Sequence, residues 1–225
     1  MDPPSGQSPA PGALGARLRE QFAPVYLTLT SIIQGVALTT LVARVEATSA
    51  HFDAANWLLA AATLVGFLAV WQEYVMQALA YRWLPTLLDS AVPFGFLVAE
   101  LFMAHFVYGN ERAWWLATGL AFAVGGVAWW TTRVRAYAHG RENTDVLRAV
   151  ADLAWVRLAI SVGPAALCLG VWASYDALGL GQARLAVAVA ALLLMGAVVV
   201  GTVPYWNRVL GQARGERPQG APRAE

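Results

Sequence analysis

Four ionisable side chains lie inside otherwise apolar stretches of the sequence. They are Glu73, Asp89, Glu100 and Arg157. A charged side chain at the centre of a lipid bilayer costs roughly 2.5–3.5 kcal/mol on insertion scales, so such a residue needs a partner or a function. The chemistry open to these residues is proton relay, the lining of an ion or solute path, or the formation of ion pairs that hold helices together.

The depth of three of these charges follows from the rise of a helix. Measured from the midpoints of their apolar segments, Glu73, Arg157 and Asp89 lie about 8, 10 and 12 Å toward the same side at 1.5 Å per residue. Three charges from three helices therefore share one level. Arg157 can neutralise Glu73 or Asp89 as a structural ion pair, extend to the lipid interface, or form the mouth of a path together with both carboxylates.

Glu100 is the deepest of the four and has no basic residue at its level, because it lies about 4–5 Å beyond the midplane toward the other side. It follows Asp89 by eleven residues, so both side chains project from nearly the same face of one helix. Gln34, near the middle of the first apolar stretch, can reach that face. We expect this face to line a path. The alternative is that a protonated Glu100 hydrogen-bonds Gln34 or a threonine and fixes the packing of the bundle.

Other chemistries find little support in the sequence. His105 is the only histidine in an apolar stretch, which excludes haem ligation by two histidines within the membrane. It lies on a different face of the helix from Glu100, so it is either a histidine at the membrane interface or a member of a proton relay. The chain has no lysine for a Schiff base, and Cys168 is its one cysteine, so no thiolate cluster can form. We find no nucleophile–base, metal-ligand or nucleotide-binding motif. We therefore predict no catalytic residue, cofactor or metal, and an enzyme is the least favoured class.

Composition places these residues in lipid. The 225 residues are 58% hydrophobic and 13% charged, against roughly 45–50% and 25% in soluble domains. Five uncharged stretches of 18 to 23 residues separate consecutive charges, and each is about long enough for a helix that crosses a 30 Å hydrocarbon core. A sixth apolar stretch carries Asp89 and Glu100. The net charge of +1 gives no indication of nucleic-acid binding.

We therefore predict an all-α, polytopic membrane protein with a bundle of six transmembrane helices. The membrane domain covers residues 21–207, and residues 1–20 and 208–225 are disordered tails. We expect Asn143 to begin a helix outside the lipid, with Arg148 and Asp152 paired one turn apart. The predicted spans are 22–43, 56–80, 86–108, 112–132, 153–174 and 184–206, and the longest loop is 133–152.

The placement of arginine predicts the orientation of the bundle. Eleven arginines fall on the side of the N-terminus and three on the other side, and Arg157 lies within a span. The positive-inside rule then places both termini in the cytoplasm. Complete use of arginine in place of lysine, with abundant alanine and glycine, favours a bacterial inner membrane as the location.

Two functions remain open at this stage. The first is a small channel or transporter for protons, cations or a small polar solute, with Asp89 and Glu100 along the route and Glu73 and Arg157 at its inner mouth. Six helices are too few to enclose a wide pore, so a channel would need several copies of the chain. The expected partners are therefore the lipid bilayer and further copies of this chain in a homo-oligomer. The second is a non-catalytic membrane subunit or scaffold, in which the buried charges only fix helix packing.

Overall fold

A computed structural model describes residues 13–82 and 86–213, with the side chains of residues 13–20, 89, 212 and 213 outside the description. Helices make up almost all of this part of the chain, and no strand occurs in it, which confirms the all-α class. The α-helices in the described ranges are α1 (Ala13–Thr48), α2 (Ala54–Ala80), α3 (Leu87–Phe106), α4 (Glu111–Ala138), α5 (Gly140–Ala149), α6 (Ala154–Ser174) and α7 (Arg184–Ala213).

Five helical segments of the described chain are long and apolar enough to cross a membrane. The apolar part of α3, Ser90–Phe106, is shorter, so the predicted count of six spans is not confirmed. The helices are nevertheless compatible with an integral membrane protein, since many large apolar side chains face outward. The five segments are Gln21–His51, Ala54–Ala80, Glu111–Ala138, Ala154–Ser174 and Leu180–Gly211.

The six longer helices form a ring of neighbours. α4 packs along both α6 and α3, α3 also packs on α1, α1 on α2, and α2 on α7, while the contact between α7 and α6 that closes the ring is small. Successive long helices run in opposite directions. One end of the bundle holds the starts of α2 and α4 and is called the Glu111 end; the other holds the short helix α5 and is called the α5 end.

Several helices continue beyond the predicted spans. α1 begins at Ala13, inside the segment predicted to be a disordered tail, and continues past Arg44 to Thr48. Arg44 does not end the helix, because its guanidinium donates a hydrogen bond to the backbone oxygen of Tyr108 at 3.0 Å. Charge-free runs therefore measure the apolar part of a helix and not its full length. Residues 1–12 and 214–225 of the predicted tails lie outside the described ranges.

The segment predicted as the loop 133–152 is mostly helical. α4 extends to Ala138, and α5 is a separate helix that starts at Gly140 rather than an early start of the next span. The amide of Asn143 explains this placement. Its oxygen accepts from the backbone nitrogen of Arg82 at 2.8 Å, and its nitrogen donates to the backbone oxygen of Arg82 at 2.8 Å. Asn143 thus joins α5 to the end of α2, a role that its prediction as a helix cap missed.

The predicted pair between Arg148 and Asp152 is wrong. Arg148 approaches Asp145 at 3.8 Å on the exposed side of α5, while both oxygens of Asp152 accept from Arg208 of α7 at 2.6 Å. The reason is that α5 ends at Ala149, so Asp152 no longer lies one helical turn above Arg148. The hydrogen bond from Arg208 holds the pKa of Asp152 below its ordinary value.

Gly119 lies at a close contact between α4 and α6. A methyl group at this position would lie 2.9 Å from the side chain of Leu169 and 3.2 Å from its backbone nitrogen. We expect Gly119→Ala to lower the free energy of unfolding by about 1–3 kcal/mol, because the added atom forces the helices apart. Denaturant titration in detergent micelles measures the change.

Gly170 of α6 is the matched control, because nothing lies within 4 Å of a methyl group added there. Gly170→Ala should leave the stability equal or raise it by about 0.5–1 kcal/mol through its better helix propensity. Equal destabilisation by the two substitutions would contradict the close α4–α6 contact.

Candidate functional site

Glu100 and Gln34 form a buried polar contact between α3 and α1. The side-chain nitrogen of Gln34 lies 2.8 and 3.0 Å from the two carboxylate oxygens of Glu100. Glu100 is only 1% exposed, and Gln34 is buried as well. The amide nitrogen donates to both oxygens, and an ionised carboxylate can accept at both. The sequence-based expectation that Gln34 reaches Glu100 is therefore met in the geometry.

Glu73 and Arg157 form an ion pair between α2 and α6. One guanidinium nitrogen of Arg157 bonds one carboxylate oxygen of Glu73, and the indole nitrogen of Trp206 donates to the other oxygen at 2.9 Å. Arg157 also lies over the rings of Tyr205 and Trp206, 5.5 and 5.8 Å from their centroids. The side chain of Arg157 is 6% exposed, so it is buried in the bundle. Glu73 is one of the two acidic partners that the sequence offered.

A partly open cavity of about 100 Å³ is lined by residues of both pairs. α2, α3, α4, α6 and α7 line it, and Glu100, which Gln34 of α1 contacts, is part of its wall. Most of the wall is apolar, from residues such as Phe67, Phe96 and Met195. The polar side chains in the wall are Gln72, Glu73, Tyr74, Gln77, Glu100, Thr118, Arg157, Ser161 and Thr202.

Three buried polar atoms of cavity-lining residues have no hydrogen-bond partner. They are the hydroxyl oxygens of Tyr74 and Thr118 and the Nε of Arg157. Tyr74 is 4% exposed and Thr118 is fully buried. Buried polar atoms are nearly always hydrogen-bonded to protein or to ordered water, and a cavity of this size has room for water. The arrangement is that of a small polar chamber inside an apolar bundle.

Packed layers of buried residues lie on both sides of the chamber along the bundle. Toward the Glu111 end lie the buried side chains of Leu59, Met103 and Trp114, and the indole of Trp114 donates to Thr63 at 2.9 Å. Toward the α5 end, a second cluster of buried residues includes Tyr81, Leu147, Val150, Tyr205 and Trp206. The hydroxyls of Tyr81 and Tyr205 are hydrogen-bonded to each other within this layer.

Two predicted site residues remain, one of which lies outside the described side chains and the other apart from the chamber. The side chain of Asp89 lies outside the described residues, so its predicted place on the face of Glu100 stays a prediction. His105 is exposed on the outer surface of α3, where its ring meets the edge of Phe106 at 5.1 Å between centroids. His105 therefore lies apart from Glu100, as its position on another face of the helix indicated.

Tyr74 was not among the predicted site residues. Its signal was weak, because a tyrosine in an apolar helix is most often part of the packing. Its ring indeed packs edge-on against Tyr26 and Phe96, at 5.7 and 5.6 Å, and only its hydroxyl is left without a partner. Its position next to Glu73 in the sequence was the one feature that could have indicated a place in the site.

A second polar cluster lies at the Glu111 end. Arg184 bonds Glu111 and lies 2.9 Å from Asp53, the residue that caps α2. The hydroxyl of Tyr175 donates to the other oxygen of Glu111 at 2.8 Å. Burial first, and then this hydrogen bond, raise the pKa of Tyr175 above its ordinary value, which keeps the hydroxyl a donor. These contacts join the starts of α2, α4 and α7 and account for the buried carboxylate of Glu111.

Comparison of the chain with protein-family models, with curated proteins and with solved structures finds no match. Within the described residues, no group of three or more histidine, cysteine, aspartate or glutamate side chains is placed to hold a metal ion. The functional argument therefore depends on the chamber and its two polar pairs.

Proposed function

We propose that the chain is a membrane transport protein that moves protons, cations or a small polar solute, with Glu100 on the path. The observation that supports this function is the chamber, which has a carboxylate contact at one side and an ion pair at the other, inside helices of membrane length. Ionisable residues at such depth are costly, and they commonly mark ion, proton or substrate paths.

The proposal includes α3 as a sixth membrane-crossing helix. Its 20 residues correspond to about 30 Å at 1.5 Å per residue, the thickness of the hydrocarbon core. Its position between α1 and α4 supports this assignment, because both neighbours have membrane length. Six crossings place both termini on one side, and the arginine distribution then favours a cytoplasmic α5 end in a bacterial inner membrane.

Flux into lipid vesicles tests the proposed function. Purified wild-type protein is expected to increase the uptake of a proton, Na⁺, K⁺ or a small polar solute above that of protein-free vesicles. Glu100→Gln should return the uptake to the protein-free rate while the bundle still folds, because the amide keeps the size of the side chain and cannot carry charge or a proton. Glu46→Gln, on an exposed part of α1, is the control that should keep the wild-type rate. Equal flux in wild type and Glu100→Gln for every species would refute the role of Glu100.

One observation favours the alternative function, a non-catalytic membrane subunit. Glu100, Glu73 and the guanidinium of Arg157 each have a protein partner, as expected if the charges only fix helix register. A subunit should co-purify with a partner protein, and the complex should survive Glu100→Gln but fail when Arg135 and Arg141 are replaced by glutamine. Loss of the complex on Glu100→Gln would contradict this separation.

A further inference from the structure

We propose that the chamber holds water and that the transported species is the proton, which Glu100 accepts from and returns to water bound by Thr118, Tyr74 and Arg157. This inference rests on the proposed transport function and names its substrate. Three independent features carry it: the cavity, the unpartnered polar atoms in its wall, and the carboxylate at its edge.

The wall of the chamber is suited to water. About 100 Å³ of space is several times the roughly 10–15 Å³ of comparable volume that one water molecule needs. The two hydroxyls can donate to and accept from water, and the Nε of Arg157 can donate to it. Each of the three atoms has less than 1 Å² of accessible surface in the described structure, so water that binds them requires a small shift of the side chains around them. An empty chamber would leave each of them buried without a hydrogen bond, which is costly.

The same wall is poorly suited to a metal cation or a larger solute. A bound Na⁺, K⁺ or divalent ion is surrounded by several oxygen ligands. The wall offers the Glu100 carboxylate, the Glu73–Arg157 pair and single hydroxyl or amide oxygens on separate helices, and the rest of it is largely apolar. Among the described residues, no group of three or more histidine, cysteine, aspartate or glutamate side chains is placed to hold a metal ion. A proton needs no such shell, because it is passed between water molecules and side chains.

Proton transfer between water and Glu100 makes one O–H bond for each one that it breaks. A hydronium ion in the chamber gives its proton to a carboxylate oxygen, an O–H bond forms on Glu100 as one breaks on the hydronium ion, and neutral water remains. The reverse step restores the carboxylate. In the structure both oxygens of Glu100 accept from Gln34. Each oxygen keeps a further lone pair that can take the proton.

The structure corresponds to a state in which Glu100 exchanges protons with the chamber only. On the other side, Leu59, Met103 and Trp114 form a buried layer toward the Glu111 end. Release of the proton at that end requires this layer to part. The chamber is therefore one part of the proton path, and it is not an open pore through the bundle.

The test uses vesicles that contain the full chain and a trapped pH-sensitive dye, with proton uptake driven by a K⁺ diffusion potential. Wild type is expected to exceed protein-free vesicles by about tenfold or more in initial rate. Thr118→Val and Tyr74→Phe should each lower that rate by about three- to tenfold, the effect of losing one hydrogen bond along the path. Thr118→Ser keeps a hydroxyl and should keep most of the rate.

Two matched controls separate the loss of a hydroxyl from the loss of stability. Thr131 and Tyr137 of α4 do not line the chamber; the Thr131 hydroxyl bonds its own helix, and Tyr137 is exposed. Thr131→Val and Tyr137→Phe should therefore keep the wild-type rate. Size-exclusion chromatography in detergent shows whether each variant is folded. If Thr118→Val is not folded, the rate of Thr118→Ser is compared with that of the wild type instead.

The outcomes distinguish this inference from the function on which it rests. Proton uptake at the wild-type rate in both hydroxyl variants would refute the water relay. Glu100-dependent uptake of radiolabelled Na⁺ or K⁺ without proton uptake would refute the proton as substrate and leave the transport function standing. If no species shows Glu100-dependent uptake, both proposals are wrong.

Discussion

Arg157→Met is expected to lower the free energy of unfolding by about 3–5 kcal/mol, the usual effect of removing one member of a buried ion pair. Glu73, whose side chain is 22% exposed, would be left with only the indole of Trp206 as a donor. The substitution also removes the cation from the rings of Tyr205 and Trp206. Denaturant titration in detergent micelles measures the change.

A second substitution separates the ion pair from simple packing. In Glu73→Gln/Arg157→Met the uncompensated charge is gone, and the amide oxygen can still accept from Trp206. Because neutral replacements of a buried pair are often close to neutral in stability, the double variant should recover most of the loss. Arg208→Met is the control for an exposed pair, where Asp152 is the partner, and should cost about 0–1 kcal/mol. A double variant as unstable as Arg157→Met would contradict the importance of the unpaired charge.

Arg184→Leu is expected to be the second most destabilising change, at about 2–3 kcal/mol. It removes the cation from Glu111, whose side chain is 7% exposed, and from Asp53. Tyr175 remains as a donor to Glu111, and Arg184 itself is 42% exposed, so the loss should be smaller than for Arg157. The same denaturant titration gives the value.

Arg112→Leu is the comparison at the same end of the bundle. Its acidic partner, Asp176, is 71% exposed, and a solvated pair contributes about 0–1 kcal/mol. The expected order of destabilisation is therefore Arg157→Met, Arg184→Leu, Arg112→Leu. A loss for Arg112→Leu as large as that for Arg184→Leu would contradict this order.

Helical rise placed the members of each polar pair at matching depths from the sequence. Depth along the bundle put Glu73 and Arg157 at one level, and the central positions of Gln34 and Glu100 made their contact accessible. Depth alone does not say which helices are neighbours. The contact between Glu73 and Arg157, and the chamber between the pairs, depend on the order of helices around the ring, which the sequence does not contain.

The helix ends were predicted less well, for a different physical reason. Counting from charge to charge finds the part of a helix that can lie in lipid, but helices such as α1 and α4 continue past Arg44 and Arg133 because polar residues are compatible with helix outside the hydrocarbon. The separate helix α5 depends on Asn143 bonding the backbone of Arg82, 61 residues away. A contact that distant in sequence leaves no local pattern.

Whether water reaches Glu100 inside the bundle is decided most directly by a cryo-EM map of the protein in lipid nanodiscs, at a resolution that shows bound water. We expect density for about two or more water molecules within hydrogen-bond distance of the Thr118 and Tyr74 hydroxyls, between Glu100 and the Glu73–Arg157 pair. A chamber without water density, with Glu100 bonded to Gln34 alone and both hydroxyls turned onto protein atoms, would contradict the proposed path.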